Sequence, residues 1–436
     1  MTQFLEQFQY YLKVSWISIK RAPLPYALTI FILSLGLGVF FANATFYYQL
    51  NSDPLPHKSD KLFFPMTLMV PYECADCPPP RVLSYSNVQK LSQTDIPSAK
   101  AGMYSADGYL RLDTKKAPTP VSIRMTQPDF FKMFEVPLLH GSVWGDDKAR
   151  FELILSKPTA EKMFGRSDVL GEKILLDDRF FTVIGVLDDW QMLPRLYDAN
   201  NRGHLSEADE VYMPLETGYD LNYMSNRQSQ TFDDTDFRQL ATQGRTGALN
   251  QLQFWVQLDS EVQQQAYRQF MSNLVADENK AGRHPSAPNN QLVPMRDIVS
   301  YFGGESADIK AFALVTLLFL VVCLFNASHL SLNRYISNQY EFSLRRALGA
   351  SRGQLQQQML ADVLLMATFC CIGGLLIAWG GVSLLNILWP ANRLFGRWDL
   401  TLLLLLLALT FTTSYLVTLY PSLRASFGGL NQQLKE

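Results

Sequence analysis

The sequence predicts an α-helical membrane domain of four transmembrane helices joined to a water-exposed α+β domain. Three observations predict it. Four apolar runs reach the roughly 20 residues that a bilayer crossing requires. Between the first and second, residues 49–308 alternate strand-like and helix-like patterns in a polar background. Basic residues gather beside one side of the apolar runs, which fixes a direction of insertion. The chain of 436 residues has a net charge of −2. It therefore lacks the basic excess that would neutralise phosphates, and nucleic acid is excluded as a partner.

Residues 1–24 open the chain as an amphipathic helix. Phe4, Phe8, Tyr11, Ser15 and Ile19 recur at helical spacing, with Leu5, Leu12 and Trp16 beside them, while Glu6, Gln9 and Lys13 face elsewhere. The pattern reads as a helix on the inner membrane face, turned into the first span by Pro23 and Pro25. An ordinary packed helix is the rival. The first span occupies 25–48, with Tyr26–Tyr48 as its apolar run. Ala42-Asn43-Ala44 imitates a signal-peptidase site, but the run is longer than a signal core and begins well inside the chain, so a retained span is expected.

The outer region, 49–308, follows. Phe151–Ser156, Lys173–Leu187 and Gln251–Asp259 read as strands, rich in β-branched and aromatic residues. Asp177-Asp178 suits a hairpin turn inside the second of these. Thr159–Gly165 and Val262–Asn279 read as helices, the first closed by Gly165. Leu193–Glu210 and Asp220–Arg245 are polar and irregular and read as loops.

The remaining spans are 309–333, 358–389 and 400–420, built on the apolar runs Ile309–Leu332, Ala361–Trp389 and Leu400–Leu419. Loop 334–357 and tail 421–436 join the amino-terminal segment on one side; loop 390–399 falls on the other. Lys13, Lys20 and Arg21 precede the first span, Arg334, Arg345, Arg346 and Arg352 fill loop 334–357, and Arg424 and Lys435 follow the last span. The opposite loop holds only Arg393 and Arg397. Both termini and the Arg-rich loop are thus expected in the cytoplasm, with 49–308 outside.

No G-x-x-x-x-G-K-[ST], G-x-S-x-G or H-E-x-x-H pattern occurs, so neither a P-loop nor a catalytic constellation is expected, and no metal site. Asp188-Asp189 after a strand reads as a solvated pair rather than a catalytic dyad. Cys323, Cys370 and Cys371 lie in spans as small apolar fillers. Cys74 and Cys77, outside, suit a disulfide, with free thiols and a metal as alternatives; Pro78 excludes c-type haem attachment there. Gly36, Gly38, Gly373 and Gly374 allow close helix approach.

Loop 334–357 contains EFSLRRALGASRGQL, Glu341–Leu355. Leu344, Ala347 and Leu348 share one helical face, whereas Glu341 and Arg345 pair four apart on another, with Arg346 beside them. Gly349 ends the helix. Ser351 with Gln354 three residues on forms a capping box that starts a second helix leading into the third span. Physics alone leaves two uses open, anchorage on anionic lipid or docking of another subunit.

This segment closely resembles the cytoplasmic coupling helix of the MacB/FtsX-like (type VII) ABC transporter permeases, E-[IL]-G-[IL]-R-[RK]-A-[LI]-G-A-[ST]. Glu341, Leu344, Arg345, Arg346, Ala347, Gly349 and Ala350 match, and Ser343 replaces the usual glycine. Asp362 with Gly373-Gly374, and Tyr420-Pro421, Arg424 and Ala425, resemble the family's third span and its ending. Gly428-Gly429-Leu430 departs from it. TQPDFFKMFEVPLLHGSVW and the run from Glu152 to Asp189 resemble the MacB-like periplasmic core domain, with Phe130-Phe131, Gly141, Ala160, Phe164-Gly165, Gly171 and Val183–Val186 in order.

The resemblance implies a porter-like α+β periplasmic domain with an inserted β-rich part near Leu138–Pro214. It implies residence in the bacterial inner membrane and a dimer of permease chains, identical or paralogous, surrounded by membrane lipids. A cytoplasmic pair of ABC ATPase subunits would bind ATP and Mg, leaving no cofactor in this chain. Coupling would run through Glu341, Leu344–Ala350 and the spans by mechanotransmission. The expected role is efflux of a periplasmic substrate such as an antimicrobial peptide or small toxic compound, with a periplasmic adaptor and outer-membrane channel. The alternatives are an FtsX-like regulatory subunit acting on a periplasmic partner, or a lipid or lipoprotein-release permease.

Overall fold

A computed structural model describes residues 2–67, 80–113, 117–145, 150–198, 207–226, 229, 249–282, 290–301, 307–337, 344, 347–349, 351–388 and 400–427. The chain divides into two compact units, Leu50–Gly304 and the combination of Met1–Gln49 with Glu305–Glu436.

The described residues of the second of these are almost all helical. This unit comprises α1 (Thr2–Arg21) and α2 (Pro23–Asn51) at one end of the sequence. Three long helices follow at the other: α9 (Ala307–Ser337), α10 (Arg352–Leu388) and α11 (Leu400–Phe427). Pro23 sits at the start of α2, where its missing N–H costs nothing. Among the described residues, four stretches are long and apolar enough to cross a membrane: Pro23–Tyr48, Ala311–Asn333, Leu360–Leu384 and Leu400–Val417. Leu33, Leu37, Leu320, Ala327, Cys370 and Val417 form the buried centre. Phe312, Leu318 and Phe325 on α9 are exposed, as are Leu376 and Trp379 on α10 and Leu404 and Leu407 on α11. Apolar residues all round a helix belong in lipid or a large core.

Helix α1 packs along α10. Ser15 is fully buried and Tyr11, Leu12, Val14 and Ile19 are half-buried. The Tyr11–Ser15–Ile19 face is therefore turned in part toward protein, with Ser15 at its centre. The residues turned outward are instead Tyr10, Lys13, Trp16, Ile17 and Lys20.

Unit Leu50–Gly304 is built on one ten-stranded sheet. The strands are β1 (Leu62–Met66), β2 (Ala99–Arg111), β3 (Thr119–Thr126), β4 (Leu138–Gly141), β5 (Glu152–Leu155), β6 (Lys173–Leu176), β7 (Arg179–Leu187), β8 (Val211–Pro214), β9 (Gln253–Gln257) and β10 (Gln291–Pro294). Their order is β10-β1-β9-β2-β3-β8-β5-β7-β4, with β6 bridging β2 and β7. The β3–β8 and β5–β7 pairs are parallel and the others antiparallel. Leu138–Pro214 supplies β4 to β8, which join the other strands in this single sheet through β3–β8 and β2–β6.

Alternate residues of the strands enter two cores. Leu153 and Leu155 of β5, and Phe254 and Val256 of β9, face one; Ile154 and Trp255 face the other. A sheet buried on both sides explains why these strands read as apolar runs. Helices α3 (Tyr85–Leu91), α5 (Lys157–Phe164), α6 (Leu215–Asp220) and α7 (Glu261–Lys280) cover the first side with Val88, Ala160, Leu215 and Tyr267. On the second side lie α4 (Asp129–Met133), with Phe130 and Phe131, and the irregular segment after β7, with Met192, Leu196 and Tyr197. A short helix α8 (Ile298–Tyr301) closes the unit.

Asp177 and Asp178 turn β6 into β7 with φ of 45° and 69°, values that suit a two-residue hairpin of the primed type. Asp177 is also held from both sides: its carboxylate accepts the Tyr109 N–H at 2.9 Å and the Tyr223 hydroxyl at 2.5 Å.

Candidate functional site: the coupling turn and the groups that support it

Only part of loop 334–357 lies within the described residues, and Glu341, Arg345, Arg346 and Ala350 lie outside them. What is described is a single helical turn and its end. The Leu348 N–H donates to the Leu344 carbonyl at 2.9 Å. Leu344 is 43% exposed and Leu348 80%. Two leucines four residues apart are thus exposed on this turn, an apolar pair suited to a partner surface. Gly349 follows with φ of +96°, a conformation that a Cβ would strain. The chain then restarts. The Gln354 N–H donates to Ser351 Oγ at 3.3 Å and the Ser351 N–H to Gln354 Oε1 at 2.9 Å. These reciprocal bonds satisfy two otherwise orphaned groups at the start of α10.

From there α10 runs 37 residues to Leu388 without interruption, about 55 Å at the ordinary helical rise. Gln358 and Asp362, one turn apart, are buried near its start. Further along, α10 meets α2 where side chains are smallest. A Cβ on Gly38 would lie 2.8 Å from the Gly374 carbonyl oxygen, and one on Gly373 would lie 2.4 Å from Ser34 Oγ. Gly374 itself faces Leu37, and Gly36 faces Cys323 and Leu320 of α9. The Ser34 hydroxyl donates to the Cys370 carbonyl at 3.4 Å. Toward the other end of α2, Asn43 donates to Thr316 Oγ1 of α9 at 2.9 Å. Cys323 and Cys370 are free and buried, and Cys371 is free and half-buried. Cys74 and Cys77 lie outside the described residues.

Unit Leu50–Gly304 holds a group that sequence reasoning missed. Arg124 on β3 donates to Asp198 at 2.5 Å and to Asp209 at 2.8 Å. Arg195 pairs with Asp209 and lies 3.5 Å from Asp198. Gln253 on β9 donates to the other oxygen of Asp198 at 2.6 Å. The Tyr197 ring centre lies 5.3 Å from the Arg124 guanidinium and 5.1 Å from that of Arg195. All four charged side chains are buried, and two arginines against two aspartates leave no net charge. Burial alone would push the Asp198 and Asp209 carboxyls up; Arg124 and Arg195 overcome it and hold both below the ordinary carboxylate value. Burial pushes the Tyr197 hydroxyl up to about 12.

The cluster ties Arg195, Tyr197, Asp198 and Asp209 to β3 and β9, so Pro194–Asp198 and Asp209 are irregular but buried, whereas Glu207 is exposed. The sequence offered little signal: Asp198 and Asp209 lie 74 and 85 positions from Arg124, and a charged stretch usually means solvent. Asp188 and Asp189 sit at the surface, with Lys157 Nζ 3.1 Å from Asp189 and 3.8 Å from Asp188.

Residues 26–274 match the family model of the MacB-like periplasmic core domain, and residues 310–429 match that of the FtsX-like permease C-terminal region. No curated protein matches the chain. Among solved structures, the periplasmic region of MacB from Actinobacillus actinomycetemcomitans is similar at 12% identity and a TM-score of 0.37, over 57% of this chain and 94% of that one. The extracellular domain of the noncanonic ABC-type transporter YknZ from Gram-positive bacteria is similar at 16% identity and a TM-score of 0.33, over 52% and 99%.

Proposed function

Because the chain belongs to the MacB/FtsX-like ABC transporter permeases, we propose that it is the permease subunit that turns ATP hydrolysis by separate cytoplasmic subunits into movement of its periplasmic domain, for efflux of a periplasmic substrate. The observation that carries this reading is the exposed Leu344–Leu348 turn, cut from α10 by Gly349 and followed by a capped start at Ser351. An apolar pair facing solvent wants a partner groove. Glu341, Arg345 and Arg346 on the same segment supply charges that would fix register and steer encounter.

The chain of force follows from the helices. When the ATPase pair closes, the docked turn is displaced. The cap keeps the first turn of α10 formed, so the displacement reaches a stiff rod of about 55 Å rather than a fraying end. A bilayer core is only about 30 Å thick, so α10 extends well beyond it. At Gly38 with Gly374 and at Ser34 with Gly373, α10 and α2 approach closely. Helix α2 in turn continues to Asn51, past the boundary at Leu50 where the outer unit begins.

Isolation of the tagged full-length chain from its native host in mild detergent tests the reading. An ABC ATPase is expected to accompany it, with a periplasmic adaptor if the system performs efflux. Arg345→Glu with Arg346→Glu is expected to abolish permease-dependent ATP hydrolysis. Unchanged ATPase binding and turnover in that variant would sink the coupling assignment. A cell-wall hydrolase in place of the adaptor would move the function to regulation of that enzyme.

A further inference from the structure

Besides its ion pairs, the buried group around Arg124 holds five polar atoms that have no hydrogen-bond partner among the described residues. They are Arg124 Nη1, Asp209 Oδ1, Gln253 Oε1 and the hydroxyls of Tyr197 and Tyr212. Each belongs to a residue at most 2% exposed. They come from separate parts of the fold and gather around the Arg124 guanidinium. Arg124 on β3 and Tyr212 on β8 stand opposite each other in register. Both arginines pair with Asp209 through Oδ2, so Oδ1 is the oxygen left over. Gln253 commits its amide N–H to Asp198 at 2.6 Å, which fixes Oε1 as its remaining atom. The ring centres of Tyr197 and Tyr212 lie 5.5 and 6.0 Å from that of Phe130. Burial, with Tyr197 and Asp209 close by, pushes the Tyr212 hydroxyl well above its ordinary value. Both phenols therefore keep a proton to donate.

Polar atoms closed off from solvent are costly unless they are hydrogen-bonded. The five differ in what they can take. Arg124 Nη1 only donates, Asp209 Oδ1 and Gln253 Oε1 only accept, and the phenols do both. A cation would be repelled by the guanidinium groups and would leave every donor unserved. An anion would meet the same objection at Asp209 and at the Gln253 oxygen. Two arginines against two aspartates make the group neutral as a whole, which favours a neutral ligand. Water donates two hydrogen bonds and accepts two, so a single molecule serves both kinds of atom at once. We propose that ordered internal water binds among Arg124 Nη1, Asp209 Oδ1, Gln253 Oε1 and the Tyr197 and Tyr212 hydroxyls. It bridges β3, β8 and β9 to Tyr197 and Asp209, which no direct bond between these five atoms does. Such water is part of the core rather than an inlet of solvent, and the four buried charges keep their low-dielectric surroundings.

X-ray footprinting of the unaltered full-length chain in detergent tests the site, with tyrosine oxidation read by mass spectrometry. Radiolysis of an internal water releases hydroxyl radical on the spot, so it modifies a neighbour that radicals from bulk solvent do not reach. Tyr197 and Tyr212 are expected to oxidise several times faster than Tyr104 and Tyr267. Those two are the controls, since they are equally buried but their hydroxyls already donate to the Tyr223 carbonyl at 3.1 Å and the Leu91 carbonyl at 3.3 Å. Tyr109, which is 54% exposed, reports the rate set by bulk radicals. A radical scavenger in the bulk should protect Tyr109 and leave the excess at Tyr197 and Tyr212 in place. Oxidation of Tyr197 and Tyr212 no faster than that of Tyr104 and Tyr267 would overturn the proposal. So would an excess that the scavenger removes in step with the signal of Tyr109, because the radicals would then have entered from solvent.

Discussion

Arg124 decides how the outer unit tolerates four buried charges. Its guanidinium bridges Asp198 and Asp209, so removal of either acid leaves a cation without full compensation in a water-poor core. Breaking one side of such a buried pair costs about 3–5 kcal/mol. Asp198→Asn is therefore expected to destabilise the outer unit by that amount, read as faster hydrogen exchange in β3 and β9 of the full-length chain. A loss below about 1 kcal/mol, the value of a surface pair, would show that the cluster is solvated. The pH dependence has a definite sign. Both aspartates titrate below the ordinary value of about 3.9 in the folded state. Their stabilisation is thus complete above about pH 4 and is lost as pH falls below it toward the folded-state values. Asp198→Asn should flatten that acid-side loss and leave the slope between pH 5 and 8 unchanged.

At the scale of elements, short-range patterns were legible and long-range partners were not. Runs of β-branched and aromatic residues located β5, β7 and β9, and Asp177-Asp178 located the hairpin, because residue preference and turn chemistry act over a few residues. The burial of Pro194–Asp198 and of Asp209 was missed because their partners come from distant strands. The start of α10 belongs to the legible class, and its cap can be tested. Ser351→Ala should cost about 1 kcal/mol and raise exchange in the first turn of α10. If coupling runs through this end, stimulated ATP hydrolysis should fall too, with ATPase binding retained. Gly38→Val probes the next contact. The clash would be with a backbone oxygen at 2.8 Å, which cannot swing aside as a side chain can. Overpacking of that kind costs about 1–3 kcal/mol, so the variant should melt earlier in detergent. Gly145→Val, where nothing lies within 4 Å of the added Cβ, is the control.

For the whole molecule, the order of units along the chain constrains its topology. One apolar helix precedes the outer unit and three follow it, so the described turn at Leu344–Gly349 and the outer unit are separated by α9. If α9 crosses the bilayer, they must lie on opposite sides. The arginines decide which side is which. Arg345 and Arg346 would have to be translocated if the turn were outside, against the bias that keeps such residues in the cytoplasm. Lys162 on α5 and Leu348 on the turn are both exposed and can report this as single cysteines, with the five native cysteines replaced by serine. A membrane-impermeant thiol reagent should label Lys162→Cys in spheroplasts. It should label Leu348→Cys only after permeabilisation. Labelling of both from one side would remove α9 as a crossing, and with it the route by which a cytoplasmic ATP cycle could move an external domain.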